Sequence, residues 1–137
     1  MAEKLSHGGF LESLRLAPRL VIELVVENNE GEILLLKRDR DPFKGKWYLP
    51  GGFLLKGESI GNCMERLSQD GLNFRLDSNE GEFLGLFENI DGDPRGHILH
   101  YVVRFKSGEV GNGSYFKELP QETISYQRDF LVKLGYK

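Results

Sequence analysis

Apolar positions change their spacing several times along the chain, and each change marks an element. Phe10, Leu11, Leu14 and Leu16 outline a short N-terminal helix that stops before Pro18, a residue that helix interiors exclude. Leu20-Val21-Ile22-Glu23-Leu24-Val25-Val26 is a β-branched run holding one acid, and Glu32 to Arg38 contains a second apolar run. Asn28-Asn29-Glu30-Gly31 between them is turn chemistry, so the two runs predict a hairpin. Their nearly continuous apolar character predicts strands covered on both faces.

Trp47-Tyr48-Leu49 reads as a short strand after the charged loop Arg38 to Lys46. Ile60, Cys63, Met64 and Leu67 then fall at i, i+3, i+4 and i+7, the stripe of an amphipathic helix that Gly71 or Asn73 can end. Downstream, Gly81 to Asn89 and His97 to Phe105 read as strands joined by a turn-rich loop. Ser107 to Ser114 is a second turn-rich interval. Ile124, Tyr126, Phe130, Leu131 and Leu134 outline a C-terminal helix after Pro120, closed by Gly135. The order of elements predicts an α/β sandwich with a mixed sheet.

Length and composition narrow this further. The 137 residues suit one domain, 1–137, and 39% hydrophobic with 28% charged residues is a globular balance. No apolar run reaches the roughly 18 residues that cross a bilayer, and the stretch MAEKLSHGGFLESLRL carries acids and no uninterrupted apolar core, unlike a secretory signal. With a lone Cys63 unable to form an internal disulfide, the expectation is a cytoplasmic protein without a membrane partner. A net charge of -3 argues against nucleic acid as a partner.

The candidate chemistry centres on Pro50-Gly51-Gly52, where a Gly-Gly turn lets backbone approach a ligand closely. Glu58 follows Gly52 by six residues and Arg66 follows Glu58 by eight. These three positions match the Nudix signature, G-x5-E-x7-R-E-U-x-E-E-x-G-U, where U is a bulky apolar residue. The lead-in Pro-Phe-Lys-Gly-Lys-Trp-Tyr-Leu-Pro-Gly-Gly-Phe resembles the approach to that box. The chain is most similar to the GDP-mannose mannosyl hydrolase branch, from about Phe10 to Phe74 and again near His100 to Val103.

The resemblance implies a Nudix-type α/β/α sandwich and hydrolysis of a nucleoside diphosphate linked to a sugar or other group, assisted by Mg²⁺ or Mn²⁺. It assigns Glu58, Arg66 and Asp70 to catalysis, Gly52 and Asp70 to the metal, and Glu23, Arg38 and Tyr101 to the nucleotide sugar. A hard cation with oxygen ligands neutralises a diphosphate, and proteins of this kind and size are often homodimers.

Departures from the signature are concentrated in the helix. Its three helix acids fall on Leu67, Asp70 and Gly71, so Asp70 alone remains acidic. Phe53 stands where the branch has an arginine, and no histidine follows His100 to serve as base, leaving Gln121 and Glu122 in that region. Glu23 inside an apolar strand needs a hydrogen-bond donor, because an unpartnered buried carboxylate is costly. Each assignment has a structural alternative. Asp70 can pair with Arg66 on a solvated helix face, Glu58 can favour the helix N-terminus, and Tyr101 and Trp47 can be core aromatics. His97 and His100, three apart on a strand, point to opposite faces and share no metal. Three functional classes follow: a metal-assisted hydrolase, a catalytically impaired module of the same fold that binds a nucleotide-like ligand, and a scaffold of that fold that makes protein contacts.

Overall fold

A computed structural model describes residues 3–137. Met1 and Ala2, at the head of the stretch read as unlike a secretory signal, lie outside the described residues. The elements are α1 (His7–Leu16), β1 (Arg19–Glu27), β2 (Ile33–Lys37), β3 (Trp47–Tyr48), β4 (Gly51–Phe53), α2 (Ile60–Leu67), β5 (Glu82–Asn89), β6 (Ile98–Lys106), β7 (Ser114–Phe116) and α3 (Ser125–Lys133). No helix among the described residues is long and apolar enough to cross a membrane.

The seven strands form one mixed sheet in the order β3-β2-β1-β6-β5, with β4 beside β1 and β7 beside β2. β1 runs parallel to β6 over its whole length, and the other pairs are antiparallel. Alternation along β1 sorts its side chains into two cores. Ile22, Leu24 and Val26 pack with Cys63, Met64, Leu67, Leu72 and Phe105 under α2. Val25, with Leu35, Val102, Phe130 and Leu131, packs under α3. Every residue from Val21 to Val26 is buried, as a strand covered on both faces requires. Helices on both faces of a mixed sheet are the predicted α/β/α sandwich.

The expected hairpin is corrected in one respect. β1 and β2 are antiparallel around the Asn28–Gly31 turn, where Gly31 has φ 76°, but they pair only at Glu27 and Ile33. The same edge of β1 is occupied instead by β4, through Val21–Phe53, Ile22–Gly52 and Glu23–Gly51, and Leu24 N–H donates to Pro50 O at 2.8 Å. The tertiary return of the Gly-Gly strand displaces the local partner, and β2 pairs with β3 and β7 instead. β7 lies at the end of an interval whose turn residues hid it. α2 begins on Ser59, whose hydroxyl accepts from Asn62 N–H at 3.0 Å, and carries the predicted buried stripe of Cys63, Met64 and Leu67. Beyond Leu67 the helix widens into a π-turn, Ser68–Leu72, and Asn73 ends it with φ 60°, the left-handed residue expected there.

Candidate active site

The box is built around an ion pair. Arg66 Nε donates to Glu58 Oε2 at 2.7 Å, and Nη2 donates to Glu58 Oε1 and to Phe53 O, each at 3.0 Å. Leu55 N–H adds a bond to Glu58 Oε1 at 3.1 Å. Both carboxylate oxygens are thereby used to staple the Phe53–Glu58 loop to α2. The Arg66 guanidinium holds the Glu58 carboxyl below its ordinary range, and Glu58 raises the Arg66 pKa in return. Glu65 is likewise engaged, accepting from Ser78 N–H and Oγ–H at 3.2 and 3.0 Å.

The two glycines serve different contacts. A Cβ on Gly51 would meet Ile22 O at 2.5 Å and Glu23 Oε2 at 2.6 Å, so only glycine admits the buried acid beside β4. A Cβ on Gly52 would meet Leu67 Cδ2 at 2.7 Å. Leu67, standing at the first acid position of the box, thus covers Gly52 with methyl groups. Asp70 is exposed in the π-turn and makes no ion pair among the described residues. In a continuous α-helix, positions 67, 70 and 71 share a face; the wider turn takes Asp70 and Gly71 out of that register.

The Mg²⁺ or Mn²⁺ that the box resemblance implies requires a cluster of hard oxygen ligands. The residues present do not fit it. Among the described residues no three His, Cys, Asp or Glu side chains gather in a metal-binding group. Glu58 is consumed by Arg66, and Leu67 fills the space against Gly52. The structure therefore does not bring Gly52 and Asp70 together with further carboxylates.

On the opposite face of the sheet, under α3, the polar groups are concentrated. Glu23 Oε1 lies 2.9 Å from His100 Nδ1, with the two side chains 4% and 3% exposed. This imidazole is the donor that the buried acid demanded. Parallel pairing sets Val21 opposite His100, which places Glu23 one step along the same face. Burial pushes the Glu23 pKa up, partly offset by the hydrogen bond and charge of His100 and by Arg95. The His100 ring is flanked by Tyr126 and Phe130 at 5.1 and 5.6 Å between centroids.

A second buried group adjoins this pair. Arg95 donates through Nε and Nη2 to Asp93 at 3.0 and 2.7 Å, and Tyr126 Oη–H donates to Asp93 Oδ2 at 3.1 Å. Burial works to raise the Asp93 pKa, but Arg95 and Tyr126 outweigh it and leave the carboxyl below its ordinary range. Burial and the Asp93 charge push the Tyr126 phenol up, so it remains a donor. Arg38 reaches the same place, with its Nε donating to Pro42 O at 2.5 Å and its guanidinium 5.2 Å from the Tyr48 ring.

Glu23, Arg38, Arg95, His100, Tyr126 and the Gly51–Phe53 strand surround a cavity of about 60 Å³. A polar space of that size admits water or the end of a ligand, and its two arginines suit an anion. Of the predicted sugar-binding residues, Glu23 and Arg38 meet here. Tyr101 does not: it occupies the α2 side of β6, packed against Phe83 at 4.7 Å. Asp93, Arg95 and Tyr126 were not singled out as site residues by sequence, and His100 was weighed only as one half of a metal pair with His97. The legible signal for His100 was Glu23 itself, which required a donor; Asp93-Pro94-Arg95 looked only like turn chemistry.

A family model described as the NUDIX domain matches residues 17–129. The ADP-ribose pyrophosphatase of Methanocaldococcus jannaschii is 34% identical over 109 residues, 77% of this chain and 62% of that relative, so the chain spans less than two thirds of its length. The MutT NUDIX hydrolase of Burkholderia pseudomallei superposes with a TM-score of 0.74 at 24% identity, covering 85% of this chain and 97% of that one. The NUDIX domain of Shewanella oneidensis NrtR, solved in complex with ADP ribose, gives 0.66 at 17% identity, covering 96% and 100%. At these identities the two superpositions speak for the fold alone.

Proposed function

The chain belongs to the Nudix family, and from that premise we propose that it hydrolyses a nucleoside diphosphate linked to a sugar, of the ADP-ribose type. The observation that carries this reading is the convergence of Arg38, Arg95 and the buried Glu23–His100 pair on one cavity beside the Gly51–Phe53 strand. The Arg38 guanidinium supplies positive charge to a diphosphate, and the N–H donors of Arg95 that Asp93 does not hold help to orient it. The Glu23–His100 pair supplies hydrogen bonds to the sugar side. The ADP-ribose pyrophosphatase relative supports ADP-ribose over the GDP-mannose type that the sequence resemblance suggested. Among the described residues the side chains around Gly52 form no cation cage.

A second reading is a binding module of the same fold with impaired turnover. Leu67 and Gly71 at two acid positions of the box favour it. One experiment separates the two. The purified protein is incubated with ADP-ribose, GDP-mannose and dinucleoside pyrophosphates, with and without Mg²⁺ or Mn²⁺, while products and thermal shifts are followed. Release of a nucleoside monophosphate and a sugar phosphate supports the ADP-ribose reading, whereas release of a nucleoside diphosphate and free sugar supports the GDP-mannose type. Stabilisation without product leaves the binding module, and neither stabilisation nor product rejects both.

A further inference from the structure

A groove apart from the Glu23–His100 cavity runs between the segment before α1, α1 itself, the start of β1 and the loop from β4 to α2. Two hollows, of about 400 and 230 Å³, share Leu5, Arg19 and Leu55 as walls. Leu20 and Leu54 complete the first, Phe10 and Phe53 the second. The loose seating of α1 opens this space. That helix buries none of its residues, so Leu20 and Leu54 stay only partly covered, although Leu54 N–H donates to Leu20 O at 3.0 Å and holds the loop against β1. Leu5 is 51% exposed. Contiguous apolar surface left open in this way marks a binding groove.

The charged groups of the groove are almost all of one sign. Lys4, Arg19, Lys56 and Arg66 line it against Glu3 alone, in a chain whose net charge is -3. Glu58 neutralises Arg66, but Lys4, Arg19 and Lys56 make no ion pair among the described residues. Arg19 stands where the two hollows meet. Its guanidinium lies 4.7 Å from the Phe53 ring and 5.8 Å from the Phe10 ring, and it donates to Ser13 Oγ at 2.5 Å and to Leu54 O at 3.4 Å. All four contacts are neutral. They fix the fork without compensating its charge: burial lowers the Arg19 pKa and no acid offsets it. The side chain remains partly exposed, so a ligand can reach it.

Charge complementarity specifies the occupant: one anionic head on an unbranched apolar tail. We propose that this groove binds a medium-chain fatty carboxylate, with its head on Arg19 and its tail along Leu5, Leu20, Leu54 and Leu55. A planar carboxylate matches the guanidinium fork, and Lys4 and Lys56 add attraction over a longer range. The leucines supply the apolar area that removes the tail from water. Phe53 closes the second hollow and also lines the cavity that holds Arg38 and Arg95, so the ligand lies beside the active-site strand without entering that cavity. Occupancy of the groove requires no nucleotide.

Hexanoate, octanoate and octanol are titrated into the full chain by calorimetry, and methyl NMR shifts locate them. Affinity is expected to rise about 2- to 4-fold per methylene from hexanoate to octanoate, with shifts confined to the methyl groups of Leu5, Leu20, Leu54 and Leu55. Arg19→Met keeps the stem and removes the fork, so octanoate affinity should fall about 10-fold while octanol affinity is kept. Circular dichroism establishes that this variant folds. Lys56→Glu, at an exposed position, is the second variant and decides the matter if the first does not fold; it should weaken octanoate about 3-fold and spare octanol. No binding, equal binding of octanoate and octanol, shifts at other methyl groups, or octanoate affinity unchanged in the folded variants overturns the site. Binding to phosphatidylglycerol vesicles without octanoate binding also overturns it and makes the same face a membrane contact.

Discussion

Replacing Arg66 by methionine removes the cation of the box while keeping much of the stem volume, and the structure sets the size of the effect. Four hydrogen bonds disappear, two to Glu58, one to Phe53 O and a longer one to Cys63 Sγ. The Glu58 side chain, 6% exposed, is left with Leu55 N–H as its remaining bond, whereas Arg66 is 25% exposed and was partly solvated already. Breaking a fully buried pair costs about 3–5 kcal/mol; partial solvation brings the expectation to ~2–3 kcal/mol. For a chain of this length that is a fall in Tm of roughly 6–12 °C.

The effect has a pH signature. The Glu58 pKa is depressed in the folded state, so its contribution is present above the unfolded value of about 4.3 and is lost as pH falls through the folded one. The difference between wild type and Arg66→Met is therefore full at neutral pH and shrinks in acid. Urea denaturation at pH 7 and near pH 3.5 measures it. A difference below about 0.5 kcal/mol at neutral pH, the range of ordinary surface substitutions, or one that does not shrink in acid, refutes the staple.

Gly51→Ala places a methyl 2.5 Å from Ile22 O and 2.6 Å from Glu23 Oε2; the expected loss is ~2 kcal/mol or more, with ligand-induced thermal shifts abolished, and an unchanged Tm contradicts it. Glu23→Gln tests the buried acid from the other direction. Because burial raises the Glu23 pKa, its protonated form favours folding at low pH, and that contribution is lost as pH rises through the folded pKa. Wild-type denaturation midpoints should accordingly fall more steeply above pH ~4.3 than those of the glutamine variant; parallel pH curves count against this. Millimolar Mg²⁺ or Mn²⁺ without nucleotide is expected to leave Tm unchanged within about 1 °C, since a cation with no site adds no binding free energy to the folded state. A rise of several degrees by differential scanning fluorimetry reveals a site that the described side chains do not form.

Much of the molecule is legible without coordinates because it rests on local spacing. The stripe of Ile60, Cys63, Met64 and Leu67 specifies a helix with one buried face, and the fully apolar β1 run specifies a strand with two. The distances from Gly52 to Glu58 and from Glu58 to Arg66 encode the loop-to-helix staple, since both partners lie within one short segment. The loss of acids at Leu67 and Gly71 is visible in the same way.

What the chain order does not contain is which distant residues share a face. Glu23 announces by its burial that a donor exists, but 77 positions separate it from His100, and only the parallel register of β1 and β6 brings them to 2.9 Å. The same pairing sends Tyr101, adjacent to His100 in sequence, to the opposite face, because side chains alternate along a strand. Asp93, Arg95 and Tyr126 become one hydrogen-bonded group only when the β5–β6 loop meets α3. Periodicity therefore marked most of the elements, the spacing shared with the Nudix signature marked the box, and long-range strand register decided which cavity the buried charges line.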